Sequence, residues 1–272
     1  MGRELKARFR GTLFGPLWML IQPLFFLIIY FTVFVSLFES SGFTSLPGIQ
    51  LRHPLTAFYE EHKEAVFALS MFVGLIPWIA FSETVARATG CIMENGSLIK
   101  KFAFPSELLP VYLVGVSLIN TVISMAVLAV AVFIILGGTT PEMLWLFPIV
   151  LILQGLFTLG ICYLVSCASV FIRDLTQMIP ILLTFVFFLS PIFYITKQLD
   201  SKFSWITEWN PVTYLIEPYR QIFVMFPGLS PHTNHGEIPW RMVGILAAVS
   251  LGFLVIGYYT FRRYQPRFAD EV

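Results

Sequence analysis

Long uncharged, apolar runs recur along the chain and alternate with shorter stretches that hold most of the charged residues. A helix needs roughly 20 apolar residues to cross a bilayer core about 30 Å thick. Six runs have about this length or more, and each predicts a membrane-spanning helix. They cover residues 17–38, 65–82, 108–136, 143–172, 175–195 and 242–261.

The fifth run contains two prolines, and the stretch that follows it has an unusual mixture of residues. Pro180 and Pro191 are compatible with a membrane helix, because neighbouring helices can satisfy the carbonyl groups that proline frees. Residues 205–226 are apolar and aromatic but include Glu217 and Arg220, which a lipid-facing helix would not hold. We therefore predict a broken, re-entrant pair of short helices between spans five and six, protected by the rest of the protein.

The first fourteen residues follow a helical rather than a continuous apolar pattern. At 3.6 residues per turn, Leu5, Phe9 and Leu13 lie on one side, with basic residues beside them. This pattern predicts an amphipathic helix over residues 1–14 that lies in the head-group plane. The predicted fold is therefore all-α and integral to the membrane: this interface helix, then a single transmembrane domain over residues 15–272.

Composition supports the membrane assignment. The chain is 57% hydrophobic and 12% charged, with a mean hydropathy of +0.80, whereas soluble domains carry about 25% charged residues. These values exclude soluble enzymes and nucleic-acid modules, and the net charge of +1 offers no attraction for nucleic acid. Cys91, Cys162 and Cys167 have no metal or disulfide spacing, so we expect small apolar core residues.

The distribution of Lys and Arg predicts the orientation. With six spans, 11 of these residues fall on the side that holds both termini and 6 on the other. The positive-inside rule then places both termini in the cytoplasm of a multi-pass protein of the cell membrane, whether an inner or a plasma membrane.

The chain contains no visible energy source of its own. The predicted spans are nearly empty of ionisable residues, which disfavours coupling to a proton or sodium gradient. No phosphate-binding G-x-x-x-x-G-K-[ST] loop and no hydrolase or kinase motif is present. We therefore expect that the chain binds no cofactor or metal itself and that any use of ATP and Mg belongs to a partner, and we expect its four histidines to be loop residues.

Two charged stretches on the predicted cytoplasmic side are candidate binding surfaces. Residues 87–105 place Ile99, Phe102 and Phe104 among charged side chains, which is typical of a docking surface; a loop helix resting on lipid is the alternative. The bases Lys6, Arg8 and Arg10 could bind the anionic head group of a cargo lipid, such as a pyrophosphate; simple membrane anchoring is the alternative.

Short motifs distributed in order over nearly the whole chain resemble the permease subunits of type-two ABC exporters for lipid-linked polysaccharides. That family includes O-antigen, capsule and teichoic acid exporters. The motifs are Arg8-Phe9-Arg10-Gly11 through Leu17-Trp18 and Gln22-Pro23, Glu94-Asn95 through Leu98-Ile99-Lys100-Lys101 to Phe104-Pro105, Arg173-Asp174-Leu175, Ser190-Pro191-Ile192-Phe193-Tyr194, Asn210-Pro211, Tyr219-Arg220 and Phe268-Ala269-Asp270.

The resemblance implies a homodimer of six-span permeases joined to two copies of a separate ATP-binding subunit. It implies that the ATPase contacts a coupling loop, and that residues 205–226 close the outer end of the path. The coupling residues are Glu94, Asn95, Leu98, Ile99, Lys100, Lys101 and Phe104, and the channel or gate residues are Phe193, Tyr194, Tyr214, Glu217, Tyr219 and Arg220. The implied cargo is a long glycan on a lipid carrier. A teichoic acid polymer, or a flippase or membrane enzyme without an ATPase, remains an alternative.

Overall fold

The computed structural model describes residues 63–101, 104–135, 143–192, 204–224 and 240–271, together with several helical positions between residues 21 and 32. Within these ranges every regular element is a helix. We number the helices of these longer ranges α1 (Lys63–Ala88), α2 (Cys91–Glu94), α3 (Gly96–Lys101), α4 (Leu108–Ile135), α5 (Phe147–Phe171), α6 (Leu175–Leu189), α7 (Ser204–Trp209), α8 (Pro211–Val224), α9 (Trp240–Tyr264) and α10 (Phe268–Glu271).

Among the described residues, four helical segments are long and apolar enough to cross a membrane. They are Ala68–Ala88, Leu108–Ile134, Leu144–Phe171 and Trp240–Arg267, at the positions of the predicted second, third, fourth and sixth spans. The first of these continues six residues beyond the predicted end at Ser82, because Glu83 and Arg87 lie at exposed positions and need no burial.

The predicted fifth span is shorter than expected. α6 ends at Leu189, and Ser190 has an extended backbone, as expected for a residue that precedes a proline. Pro191 thus lies beyond the helix, and the 15 residues of α6 reach about 22 Å, less than the thickness of a bilayer core. Most of the first span and the whole interface helix over residues 1–14 lie outside the described residues.

The core of the bundle forms around α1. This helix packs against α4, α5, α6 and α8, and most of its side chains from Ala68 to Phe81 are buried. A helix surrounded on most sides is apolar around its whole circumference, and α1 has that composition. The rings of Phe81 and Phe157 stack inside this core, with their centroids 5.4 Å apart.

Helices α5 and α9 form the most extensive helix pair in the described part of the chain. They touch through Gly160 and Gly257, where an added Cβ on either residue would collide with the backbone of the other helix. Small residues let membrane helices approach this closely and gain van der Waals contact along their length. This pair supports both ends of the bundle, where the candidate functional residues lie.

Candidate functional site

One residue, Asn95, links the two short helices of the predicted coupling loop through both its side chain and its backbone. Its Nδ2 donates to the carbonyl of Cys91 at 2.8 Å, which closes α2. Its backbone carbonyl accepts hydrogen bonds from the backbone N–H groups of Leu98 and Ile99 at 3.0 and 3.1 Å, at the start of α3. Asn95 therefore joins the end of α2 to the start of α3.

This geometry divides the predicted coupling residues between an outward and an inward face. Glu94 and Lys100 are exposed. Ile99 is half-buried and packs inward, and Leu98, Asn95 and Phe104 are also half-buried. The side chain of Lys101 lies outside the described residues. We call the exposed face of α2 and α3 the coupling surface.

The coupling surface rests on a separate apolar cluster, which we call the basal cluster. It contains Cys91, Ile92, Tyr163, Cys167, Val170, Phe261 and Phe268, and Ile99 packs against it. The ring of Phe268 is fully buried, and its centroid lies 5.2 Å from that of Phe261. All three cysteines are buried and free, as predicted. Burial raises the pKa of the Cys91 thiol to about 12.

A polar contact joins the same region to the carboxyl end of α9. Gln265 Nε2 donates to Glu107 Oε2 at 2.6 Å, and Arg262 Nη1 lies 3.4 Å from Glu107 Oε1. The hydroxyl of Tyr163 donates to the carbonyl oxygen of Glu107 at 3.3 Å. Sequence reasoning did not single out Glu107 or Gln265, because nothing local to either residue indicates a partner about 158 positions away.

At the opposite end of α1, a buried arginine joins three segments of the chain. Arg220 Nε donates to the carbonyl of Ser70 at 3.1 Å, and Nη2 donates to the carbonyl of Ile192 at 2.6 Å. Its Nη1 lies 3.7 Å from Glu217 Oε2. Arg220 thereby connects α8 to α1 and to the chain just beyond α6.

Two further features of the sequence make this buried arrangement possible. Gly74 leaves room for the guanidinium group, since a Cβ there would lie 3.1 Å from Arg220 Nη2. The neighbouring Tyr219 is also fully buried, and its hydroxyl donates to Gln154 of α5. Gln154 Nε2 in turn lies 3.5 Å from the carbonyl of Pro77. The polar groups of α8 thus bind to α1 and α5.

The segment before α8 is held in a similar way. Asn210 separates α7 from α8, and its Oδ1 accepts the backbone N–H of Val212 at 3.0 Å. Its Nδ2 donates to Ser190 Oγ at 3.0 Å. Trp205 and Trp209 of α7 are exposed. Residues 204–224 therefore form two short helices, and the Asn210 side chain joins them to Ser190 at the end of α6.

The predicted channel or gate residues occupy different surroundings. Glu217, Tyr219 and Arg220 are buried within the protomer, where Tyr219 and Arg220 bind α8 to its neighbours; their role as channel or gate residues stays a prediction. Tyr214 is half-buried, and its hydroxyl donates to the Glu208 carbonyl at 2.9 Å.

Other candidate residues fall in undescribed stretches. Phe193 and Tyr194, the basic residues Lys6, Arg8 and Arg10, and the four histidines lie outside the described residues. Within the described ranges no group of three metal-ligating side chains occurs.

Comparison with known proteins connects this geometry to a family. A family model described as ABC-2 type transporter matches residues 1–224. The chain is 30% identical over 278 residues to the O-antigen export system permease protein RfbA of Myxococcus xanthus, a match that covers 99% of this chain and 92% of the relative. RfbA of Klebsiella pneumoniae is 26% identical over 98% of this chain and 91% of its own length. The polysialic acid transport protein KpsM of Escherichia coli is 23% identical over 83% of this chain and 79% of its own.

Proposed function

The chain belongs to the ABC-2 type transporter membrane family and is a transmembrane permease subunit; from this premise we propose that it exports a lipid-linked surface polysaccharide, resembling O-antigen, from the cytoplasmic side outward. The observation that carries the proposal is the match to O-antigen export permeases, which covers almost the full length of this chain and of each relative. The cargo class follows from those relatives. The match to the polysialic acid transport protein is weaker and shorter, so a capsule-like cargo is less well supported, and the comparisons contain nothing specific to teichoic acid.

The power for export comes, in this proposal, from a separate ATP-binding subunit that uses ATP and Mg. The sequence contains no G-x-x-x-x-G-K-[ST] phosphate-binding loop. We infer the exporter-type assembly of two permeases and two ATP-binding subunits. No residue of α6 (Leu175–Leu189) is fully buried; one side of the helix packs partly against the core through Ile179, Leu183 and Phe187, and the exposed side is consistent with a face that a second permease or lipid covers.

The coupling surface is the proposed docking site for the ATP-binding subunit. Glu94 and Lys100 are exposed there, while Cys91, Ile92 and Ile99 fix the helices from beneath. Charged side chains on a rigid apolar base are suited to receive a displacement from a partner, because closely packed interiors deform little. Leu98, Lys101 and Phe104 complete the proposed contact region.

The proposed topology has six spans, both termini in the cytoplasm of a multi-pass cell-membrane protein, and α7 and α8 as a re-entrant pair near the outer surface. The charge bias of the sequence supports this orientation. Trp145 and Trp240 are exposed and their ring centroids lie 6.0 Å apart, which is consistent with a membrane interface at this end of α5 and α9. Arg220 then keeps α8 in its re-entrant position.

Two regions outside the described residues complete the proposal. The bases Lys6, Arg8 and Arg10 are proposed to bind the anionic head group of the cargo lipid at the cytoplasmic interface. Phe193 and Tyr194, which follow α6 in the sequence, are proposed to stack on sugar faces of the cargo along the path.

Reconstitution tests the proposal directly. The permease, with and without its co-expressed ATP-binding subunit, is placed in vesicles loaded with lipid-linked O-antigen on the side equivalent to the cytoplasm. We expect export only with both subunits and ATP. Export by the permease alone, or failure of any ATP-binding subunit to co-purify with it, would overturn the proposal in favour of a flippase that works without an ATPase.

A further inference from the structure

We propose that the carboxyl-terminal segment, residues 265–271, transmits displacement of the coupling surface directly to α9, with Gln265 and Phe268 as positioning residues. This inference rests on the proposed function, since it takes the ATP-binding subunit to dock on α2 and α3. The chain itself connects the coupling surface only to α1 and α4. The proposed route adds α9, which is remote in sequence.

The first observation is the location of Phe268. Its side chain is fully buried and belongs to the basal cluster, together with Cys91 and Ile92 of α2. Helix α10 also lies against α3. No solvent layer separates α2 and α3 from this packed region. A displacement of α2 and α3 is therefore transmitted to Phe268, because close-packed apolar groups deform little.

The second observation is a hydrogen bond, which is independent of this apolar packing. Glu107 lies on the chain between α3 and α4, and its carboxylate accepts the hydrogen bond from Gln265 at 2.6 Å. Gln265 is half-buried, so water competes less for this bond than for the neighbouring contact of the exposed Arg262. The carboxyl-terminal segment is thus attached on both sides of the coupling surface, once to α2 and α3 and once before α4.

The third observation concerns what happens beyond the segment. Residues 265–271 continue directly from α9, and α9 is joined to α5 by backbone contact at Gly160 and Gly257. Because this contact leaves no compressible side chain between the helices, α5 and α9 move together. The carboxyl-terminal segment therefore joins the coupling surface to a rigid pair of spans.

A fluorescent reporter on α9 tests the route. All three native cysteines are buried, so a thiol-reactive bimane attaches selectively at Val255→Cys, a position 66% exposed on α9. The labelled permease, assembled with its ATP-binding subunit in nanodiscs, is trapped with ATP and vanadate. Fluorescence change per assembled complex is measured in otherwise native protein and in Gln265→Ala, Phe268→Ala and Phe268→Leu backgrounds. Arg263→Ala, an exposed neighbour, is the matched control.

We expect trapping to change the emission in the native and Arg263→Ala backgrounds. The change should fall about threefold or more in Gln265→Ala and Phe268→Ala, and less in Phe268→Leu, while ATP hydrolysis and assembly persist. A merely structural role would lower assembly without lowering the change per complex. An undiminished change in assembled Gln265→Ala and Phe268→Leu complexes would overturn the inference and leave the proposed function intact, whereas absence of assembly in the native background would remove both.

Discussion

Gly160 of α5 and Gly257 of α9 bring the backbones of their two helices into direct contact. Lipid tails are as apolar as leucine, so helices in a bilayer gain little from burying apolar surface and depend on close packing instead. Two glycines at one crossing provide that packing. The most extensive helix pair in the described part of the chain therefore depends on the absence of two side chains.

Enlarging one of these glycines should weaken the fold. A Cβ at Gly257 would meet the backbone of Gly160, which cannot move aside as a flexible side chain can, so we expect Gly257→Val to cost about 2 kcal/mol or more. The midpoint of thermal aggregation of detergent-solubilised protein measures the effect. Gly252→Ala on the same helix is the control, because a Cβ there would meet no atom of another helix within 4 Å. Equal midpoints for the two variants would contradict the packing argument.

The long apolar runs predicted the four membrane-length helices of the described residues, because length and composition alone decide whether a helix can cross a membrane. The apolar pattern did not predict where α6 ends. The sequence stays apolar beyond Leu189, but Ser190 adopts an extended backbone before Pro191 and ends the helix. The hydrogen bond between Glu107 and Gln265 could not be predicted either. Sequence patterns report on neighbours along one helix, and contacts between distant segments depend on how whole helices pack.

The burial of Cys91 predicts its reactivity. Because burial raises its pKa to about 12, the thiol stays protonated at neutral and mildly alkaline pH, and the reactive thiolate is scarce. We expect folded protein to resist N-ethylmaleimide from pH 7 to pH 9 and to become labelled only after unfolding, as measured by intact-mass spectrometry. Ser97→Cys, at an exposed position on α3, should label rapidly in the folded state. Rapid labelling of Cys91 in folded protein would show that the basal cluster opens.

Truncating the charged residues of the coupling surface should reduce its binding to the ATP-binding subunit. We expect Glu94→Ala or Lys100→Ala to cost about 1 kcal/mol, roughly a fivefold loss of affinity, and to lower export while folding persists, since both side chains are exposed. Pull-down titration with the ATP-binding subunit measures the affinity, and Ser97→Ala serves as the control on the same face. Native affinity and export in both charge variants would argue against docking at α2 and α3.

The stability effects of substituting Arg220 and Glu217 should depend strongly on each other. Replacing Arg220 by Met leaves the buried carboxylate of Glu217 without the nearby positive charge, so we expect a loss of about 3 kcal/mol or more. It also frees the carbonyls of Ser70 and Ile192. Arg220→Lys should be intermediate, because a single ammonium group cannot reproduce the planar fork that reaches both carbonyls.

The double variant separates the charge pair from the carbonyl contacts. Glu217→Gln removes the carboxylate charge, so in combination with Arg220→Met it should restore part of the stability that Arg220→Met alone loses. The remaining deficit then measures what Arg220 contributes by joining α8 to α1 and to the chain beyond α6. Thermal midpoints of the four proteins in one detergent complete the cycle. Strictly additive effects would mean that the 3.7 Å separation between Arg220 Nη1 and Glu217 Oε2 has no energetic consequence, and that Arg220 stabilises α8 through its bonds to the two carbonyls alone.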